Sequence, residues 1–152
     1  KALDFRERAP LKATKNMYLD AQGKVRPNVS IDGYLSVGVP GTVAGLYQVH
    51  RQHGKLPWAK LVAPSIKYAQ EGFIVSERFV GAVESRKKPI LSNAASRQVF
   101  TRNGAMYAAG DKLIQKDLAK TLQQIATNPQ SFYTGNIARA IASDMAKNGG
   151  LI

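Results

Sequence analysis

The sequence predicts a mainly α-helical fold with one or two short strand pairs. Apolar residues recur three or four positions apart in several segments, which is the spacing of one helical face. Glycine, proline and asparagine separate these segments at close intervals, so about five helices joined by short loops are expected. No internal repeat and no linker is visible. We therefore expect residues 1–152 to form a single unit.

Two amphipathic helices are predicted in the last third of the chain. Apolar residues that share the face of the first helix are Ile114, Leu118, Leu122 and Ile125. Those that share the face of the second are Ile137, Ile141 and Met145. Asn128-Pro129 is expected to end the first helix, and Asn148-Gly149-Gly150 to end the second.

Three further helices are predicted between the glycines of the middle region. The first follows the glycine-rich residues 38–45, GVPGTVAG. The second begins at Pro57 and is expected to kink or divide at Pro64, because proline lacks the backbone N–H that a helix interior needs. The third is expected to begin after Ser76, a suitable N-cap, and to run to about Glu84, with Lys88-Pro89 as the break.

Short strands are expected at two places. Residues 2–9 alternate loosely and would form a strand that Pro10 ends. Residues 98–101 and 106–108 would pair as a hairpin around Asn103-Gly104, a dipeptide that suits a tight turn.

The composition limits the kinds of site that this stretch can hold. The absence of cysteine excludes disulfides, thiolate nucleophiles and cysteine–zinc sites here. The net charge is +12, but most basic residues are spread singly and the only tight cluster is Arg86-Lys87-Lys88. A solvated basic surface is therefore favoured over a nucleic-acid interface. No apolar run is long enough to span a bilayer.

Two patterns resemble binding sites but favour plainer explanations. Residues 38–45 precede a helix whose free amides could bind an anion, yet they lack the ending of a P-loop, so close packing at a tight turn is favoured. His50 and His53 share a helical face, but no third ligand lies nearby, so two exposed histidines near a helix C-terminus are favoured over a metal site. No metal, no cofactor and no complete catalytic constellation is expected in this stretch.

The hexapeptide FRERAP, residues 5–10, contains the candidate for substrate binding. The guanidinium of Arg6 is a planar, permanently charged fork that can hold a carboxylate through two hydrogen bonds. Alternatively, Arg6 and Arg8 simply occupy an exposed strand face with Glu7 on the other. The hexapeptide alone leaves both interpretations open.

Six motifs taken in order resemble the γ-glutamyltranspeptidase family. They are residues 4–10 (DFRERAP), 38–45 (GVPGTVAG), 69–75 (AQEGFIV), 110–115 (GDKLIQ), 132–135 (FYTG) and 148–152 (NGGLI). They cover nearly the whole chain in the order of the family. The resemblance implies a segment of the αββα N-terminal nucleophile hydrolase fold, namely the helical middle part of the large subunit of a longer precursor.

The resemblance also implies a function. The precursor would cleave itself, and the new N-terminal threonine of the small subunit would attack the γ-glutamyl amide of glutathione or a related compound. The glutamyl group would pass to water, an amino acid or a peptide. The threonine would lie beyond Ile152, so the chain alone is expected to be inactive. Arg6 would bind the α-carboxylate of the substrate, whereas Arg8 departs from the commoner apolar residue of the family and receives no role.

Further expectations follow from the same resemblance. The protein would be periplasmic or secreted, and its partner would be the small subunit of the same precursor. Surfaces normally covered by the missing regions would make the segment associate with itself. Alternatives stay open. Within the same fold family the protein could be a related acylase that acts on β-lactam side chains, or a hydrolase of polyglutamate. From a different class, it could be a free-standing basic helical module that attracts nucleic acid or an anionic surface.

Overall fold

The computed structural model describes residues 2–152, and its fold is mostly helical with two short antiparallel strand pairs. This confirms the predicted fold class. The helices of the described part are α1 (Thr42–His53), α2 (Trp58–Glu71), α3 (Glu77–Glu84), α4 (Lys87–Ser92), α5 (Ala94–Phe100), α6 (Lys116–Thr127), α7 (Ser131–Thr134) and α8 (Asn136–Lys147), and a 3-10 turn covers Tyr34–Ser36. The strands are β1 (Phe73–Ile74), β2 (Thr101–Arg102), β3 (Ala105–Met106) and β4 (Lys112–Leu113). Strand β1 pairs with β4, and β2 pairs with β3.

The described chain divides into two compact units. The first combines the residues up to Trp58 with Gln124–Ile152, and the second is Ala59–Gln123. The expectation that residues 1–152 behave as one unit stays a prediction.

The first unit contains the termini and helices α1, α7 and α8. Ile125 and Met145 are buried in it, and the indole N–H of Trp58 donates a hydrogen bond to the carbonyl oxygen of Ile125 at 3.0 Å. Gly149 follows α8 with a φ of +77°, which is the left-handed ending predicted for this helix. No helix among residues 2–152 has the length and apolar character needed to cross a lipid bilayer.

The second unit is built around the pair of strands β1 and β4. Val75 and Leu113 are each 1% exposed, and Ala69 and Ala119 are also buried. Gly72 ends α2 with a φ of +85°, and a Cβ there would lie 2.8 Å from the carbonyl oxygen of Leu113. Glycine at this position therefore allows the end of α2 to lie against β4.

Neither Pro64 nor Pro89 breaks a helix, and the kink that was the alternative at Pro64 stays a prediction. Helix α2 is not divided at Pro64 but continues through it for a total of 14 residues, because its remaining hydrogen bonds and its apolar face outweigh the one bond that proline removes. Helix α3 ends at Glu84, as predicted, but Lys88-Pro89 is not what ends it, since both residues lie in the first turn of α4, where the backbone N–H has no intrahelical partner.

The hairpin is confirmed at its turn but is shorter than predicted. Asn103 and Gly104 have φ values of +54° and +81°, as a type I′ turn requires. Residues 98–100 are helical rather than extended. The cause is a local cap at the start of α5, where the Asn93 side chain accepts a hydrogen bond from the Ser96 amide at 2.8 Å.

The strand predicted at residues 2–9 is wrong. Among the described residues of this segment, Arg8 alone forms a bridge, which is antiparallel to Val39. The Arg8 amide donates to the Val39 carbonyl oxygen at 3.0 Å, and the Val39 amide donates back at 2.7 Å. Pro10 has no N–H with which to continue the pairing.

Asp111 links the hairpin of the second unit to the loop that follows it. One carboxylate oxygen of Asp111 accepts a hydrogen bond from the Ala108 amide at 2.9 Å, and the other pairs with Arg102. The Ala108 amide holds the pKa of Asp111 below its ordinary value of 3.8, and Arg102 acts in the same direction against the opposing effect of burial.

Asp111→Asn is expected to lower the thermal unfolding temperature at neutral pH and to have a smaller effect in acid. A carboxyl group whose pKa is lowered by folding stabilises the protein above its unfolded pKa, and this contribution is lost as the pH falls through the folded pKa. Thermal unfolding of the chain and the variant between about pH 6 and about pH 3 measures the difference. An unchanged difference across this range would contradict the prediction. Glu71→Gln is the control, since its exposed partner Lys67 lies 4.0 Å away and such pairs contribute little.

Candidate functional site

The glycine-rich residues 38–45 support the FRERAP segment through close backbone contact. A Cβ on Gly41 would collide with the carbonyl oxygens of Phe5 and Arg6, and a Cβ on Gly45 would collide with the ring of Phe5. We call Gly41 and Gly45, at the start of α1, the glycine shelf. This arrangement confirms the interpretation that the glycines serve close packing.

The next part of the segment is held by the bridge between Arg8 and Val39. Gly38 precedes Val39, and a Cβ on Gly38 would lie 2.8 Å from the Cγ of Glu7. The glycine shelf therefore contacts Phe5 and Arg6, and the bridge holds Arg8, which comes two residues later. Together they fix the backbone on both sides of the Arg6 side chain, although the segment is not a regular strand.

The guanidinium of Arg6 points into solvent, and 83% of the side chain is exposed. One of its nitrogens lies 2.9 Å from a carboxylate oxygen of Glu7, and the Arg6 amide donates to the side chain of Asp4 at 3.1 Å. An exposed ion pair of this kind contributes only about 0–1 kcal/mol. A ligand carboxylate can therefore replace Glu7 at small cost, and the arginine retains further N–H donors for it.

Arg6 lines a surface depression of about 400 Å³. Its walls are the segment from Leu3 to Arg8, the turn before α1, the first half of α1, and Tyr133 from α7. The volume lies within the range of small-molecule sites. The sequence places Tyr133 within the FYTG motif but gives no sign that it lies beside residues about ninety positions earlier.

The two histidines of α1 have different surroundings. His50 packs against the rings of Tyr47 and Trp58, with centroids 6.3 and 5.4 Å away, and its Nε2 lies 2.7 Å from the carbonyl oxygen of Leu56. His53 is exposed. The prediction of two exposed histidines is therefore wrong for His50, because that part of α1 faces Trp58. The described residues contain no cluster of three or more potential metal ligands.

Comparison with known proteins identifies the family. The sequence model described as Gamma-glutamyltranspeptidase matches residues 1–152. The chain belongs to this family. It is 43% identical to the glutathione hydrolase proenzyme of Escherichia coli, over 99% of this chain and 26% of that protein. It is 42% identical to the glutathione hydrolase proenzyme of Pseudomonas aeruginosa, over the same shares. The chain thus spans about a quarter of the length of these γ-glutamyltranspeptidase relatives.

Solved structures give the same result for the fold. The Helicobacter pylori γ-glutamyltranspeptidase superimposes with a TM-score of 0.95 at 46% identity, covering 98% of this chain and 43% of that one. A cephalosporin acylase from Bacillus halodurans superimposes with a TM-score of 0.80 at 27% identity, covering 97% and 28%. The chain therefore has the fold of a segment of γ-glutamyltranspeptidase and other N-terminal nucleophile hydrolase structures.

Gly45→Ala is expected to destabilise the chain, because the added methyl group would collide with the ring of Phe5 and displace the segment that holds Arg6. Such overpacking costs about 1–3 kcal/mol. The control is Gly81→Ala within α3, where a Cβ meets nothing within 4 Å and the free energy of unfolding should stay equal or rise by up to about 1 kcal/mol. Urea unfolding of both variants compares them. Equal stability of the two would show that the close contact at Gly45 is absent.

Proposed function

We propose that the chain is the helical part of the large subunit of a γ-glutamyltransferase, in which Arg6 binds the α-carboxylate of the γ-glutamyl substrate. The observation that carries the proposal is the placement of Arg6 in a chain of this family. Its backbone is held on the glycine shelf and by the Arg8–Val39 bridge, while its guanidinium is free to enter a depression of suitable size.

The chemistry of Arg6 suits the recognition of a free glutamyl end. A γ-linked glutamyl group keeps its α-carboxylate, which the guanidinium fork can bind through two parallel hydrogen bonds. Each charged hydrogen bond contributes about 1.5–3 kcal/mol. Substrates that lack the free carboxylate would lose this contribution, so the arginine selects γ-glutamyl compounds over ordinary internal amides.

The remaining chemistry is proposed for the complete protein. A threonine beyond Ile152 would become the N-terminus of the small subunit after self-cleavage and would attack the γ-glutamyl amide. The glutamyl group would then pass to water, an amino acid or a peptide. The names of the relatives from E. coli and P. aeruginosa, glutathione hydrolase proenzymes, support both glutathione as substrate and cleavage of a precursor. From membership of the family we also propose a periplasmic or secreted location.

A related acylase is the second candidate, because a cephalosporin acylase shares the fold at a TM-score of 0.80. The H. pylori γ-glutamyltranspeptidase has a higher identity and TM-score, which favours a γ-glutamyltransferase over an acylase. The match over residues 1–152 favours a segment of an enzyme over a free-standing basic module.

Exposed apolar side chains such as Leu11 and Ile74 suit surfaces that the rest of the enzyme would cover, so the isolated chain is expected to self-associate.

The reaction is tested by assaying a chromogenic γ-glutamyl anilide with this chain and with the product of its complete reading frame. Hydrolysis by the complete product alone is expected, because the nucleophile lies outside the chain. Hydrolysis of a cephalosporin side chain but not of the anilide would favour the acylase. No activity of the complete product on either substrate would contradict the proposed function.

Arg6→Ala in the complete enzyme is expected to raise the KM for the anilide by about 100-fold or more, since two charged hydrogen bonds of about 1.5–3 kcal/mol each are lost. Arg6→Lys should also raise KM, because an ammonium group cannot reproduce the fork. The control is Arg78→Ala, which removes an exposed guanidinium from α3. Steady-state kinetics of the three variants measure these KM values. A wild-type KM for Arg6→Ala would rule out Arg6 as the residue that binds the α-carboxylate.

A further inference from the structure

Helix α1 begins without the side-chain cap that helix N-termini usually have. Its N-cap residue is Gly41, which makes no side-chain hydrogen bond. Serine, threonine, aspartate or asparagine normally occupies this position and accepts a hydrogen bond from the second or third amide of the helix. None of them fits here, because any Cβ on Gly41 would collide with the carbonyl oxygen of Phe5. The contact that supports FRERAP thus excludes the ordinary cap.

The hydroxyl group of Tyr133 takes the place of that cap. It accepts a hydrogen bond from the amide of Ala44, the third residue of α1, at 3.0 Å. It donates a hydrogen bond to the carbonyl oxygen of Pro40, also at 3.0 Å. Pro40 and Ala44 lie on either side of the Gly41 turn. A single hydroxyl group, 89 and 93 positions away from its two partners, therefore closes the turn on which FRERAP lies.

Tyr133 is itself held firmly by the short helix α7. The Asn128 carbonyl oxygen accepts a hydrogen bond from the Ser131 hydroxyl at 2.7 Å, and the Asn128 side chain accepts one from the Gln130 amide at 3.1 Å. The ring of Tyr133 packs edge-on against Phe132, with centroids 5.1 Å apart. Tyr133 is half-buried. The position of its hydroxyl group is therefore fixed by these contacts.

We propose that Tyr133 is a positioning residue for substrate binding that acts through Arg6, an inference that rests on the proposed role of Arg6. The Arg6 side chain has little protein around it, so its location depends on the backbone that the Gly41 turn supports. Loss of the Tyr133 hydroxyl leaves the Ala44 amide without its acceptor and releases the turn. The guanidinium then spends less time where it meets the α-carboxylate. Because the proposal has Tyr133 act only through Arg6, the threonine chemistry is expected to be unaffected.

Tyr133→Phe in the complete enzyme removes only the hydroxyl oxygen. The KM for the γ-glutamyl anilide should rise about 3- to 10-fold, which corresponds to the loss of one ordinary hydrogen bond, while kcat changes by less than about twofold. The matched control is Tyr68→Phe, which removes the same atom from a ring that is 63% exposed on α2 and should leave both constants unchanged. A KM for Tyr133→Phe equal to that of wild type would overturn the inference.

The double variant Arg6→Ala with Tyr133→Phe separates positioning from a general structural effect. If Tyr133 acts through Arg6, its removal adds no further rise in KM once Arg6 is gone. Rises that multiply would show an independent structural role and overturn the inference. Arg6→Ala measured alone tells the two failures apart. A raised KM for Arg6→Ala with no effect of Tyr133→Phe defeats this inference only, whereas an unchanged KM for Arg6→Ala defeats the proposed role of Arg6 and the inference with it.

A substrate comparison remains informative even if Tyr133→Phe folds poorly. The ratio of kcat/KM for the anilide with a free α-carboxylate to that for its α-carboxamide is measured on one preparation, so the amount of folded enzyme cancels. Tyr133→Phe should lower this ratio about 3- to 10-fold, because it weakens recognition of the charge itself. Tyr68→Phe should leave the ratio unchanged. An unchanged ratio in Tyr133→Phe would overturn the inference.

Discussion

The site depends on one close contact. The backbone of Phe5 and Arg6 lies directly against the start of α1, where glycines carry no side chain. Gly41 and Gly45 leave room for carbonyl oxygens and an aromatic ring where any other residue would place a Cβ. Because the segment is not a regular strand, this contact and the single bridge between Arg8 and Val39 carry most of its placement. A local steric feature of a helix thus sets the position of the backbone that carries Arg6.

The same constraint explains why the helix is capped from a distance. Close approach of FRERAP leaves no room for an N-cap side chain, and glycine in place of a capping residue costs about a few tenths of a kcal/mol. Tyr133 restores one hydrogen bond to that turn and joins the C-terminal part of the first unit to its N-terminal part. On the proposed role of Tyr133, stability and substrate recognition would depend on the same hydroxyl group.

Much of the fold could be predicted from local patterns. The periodic apolar faces located α6 and α8, Ser76 caps α3 by accepting a hydrogen bond from Phe79 at 3.2 Å, and Asn103-Gly104 forms the predicted turn. Two of the failures share a cause, which is that distant contacts or position within an element override local preference. Pro64 is accommodated inside a long helix, and His50 lies against Trp58 instead of in solvent. In the site, the sequence indicated Arg6 but could not indicate Tyr133, whose partners lie about ninety positions away.

The most direct test of the account is a crystal structure of the complete protein with glutamate bound. We expect two guanidinium nitrogens of Arg6 to lie about 2.7–2.9 Å from the two α-carboxylate oxygens, with the Phe5 carbonyl oxygen still against Gly41 and the Tyr133 hydroxyl still between Pro40 and Ala44. A glutamate whose α-carboxylate is held by other residues, while Arg6 remains paired with Glu7, would contradict the account.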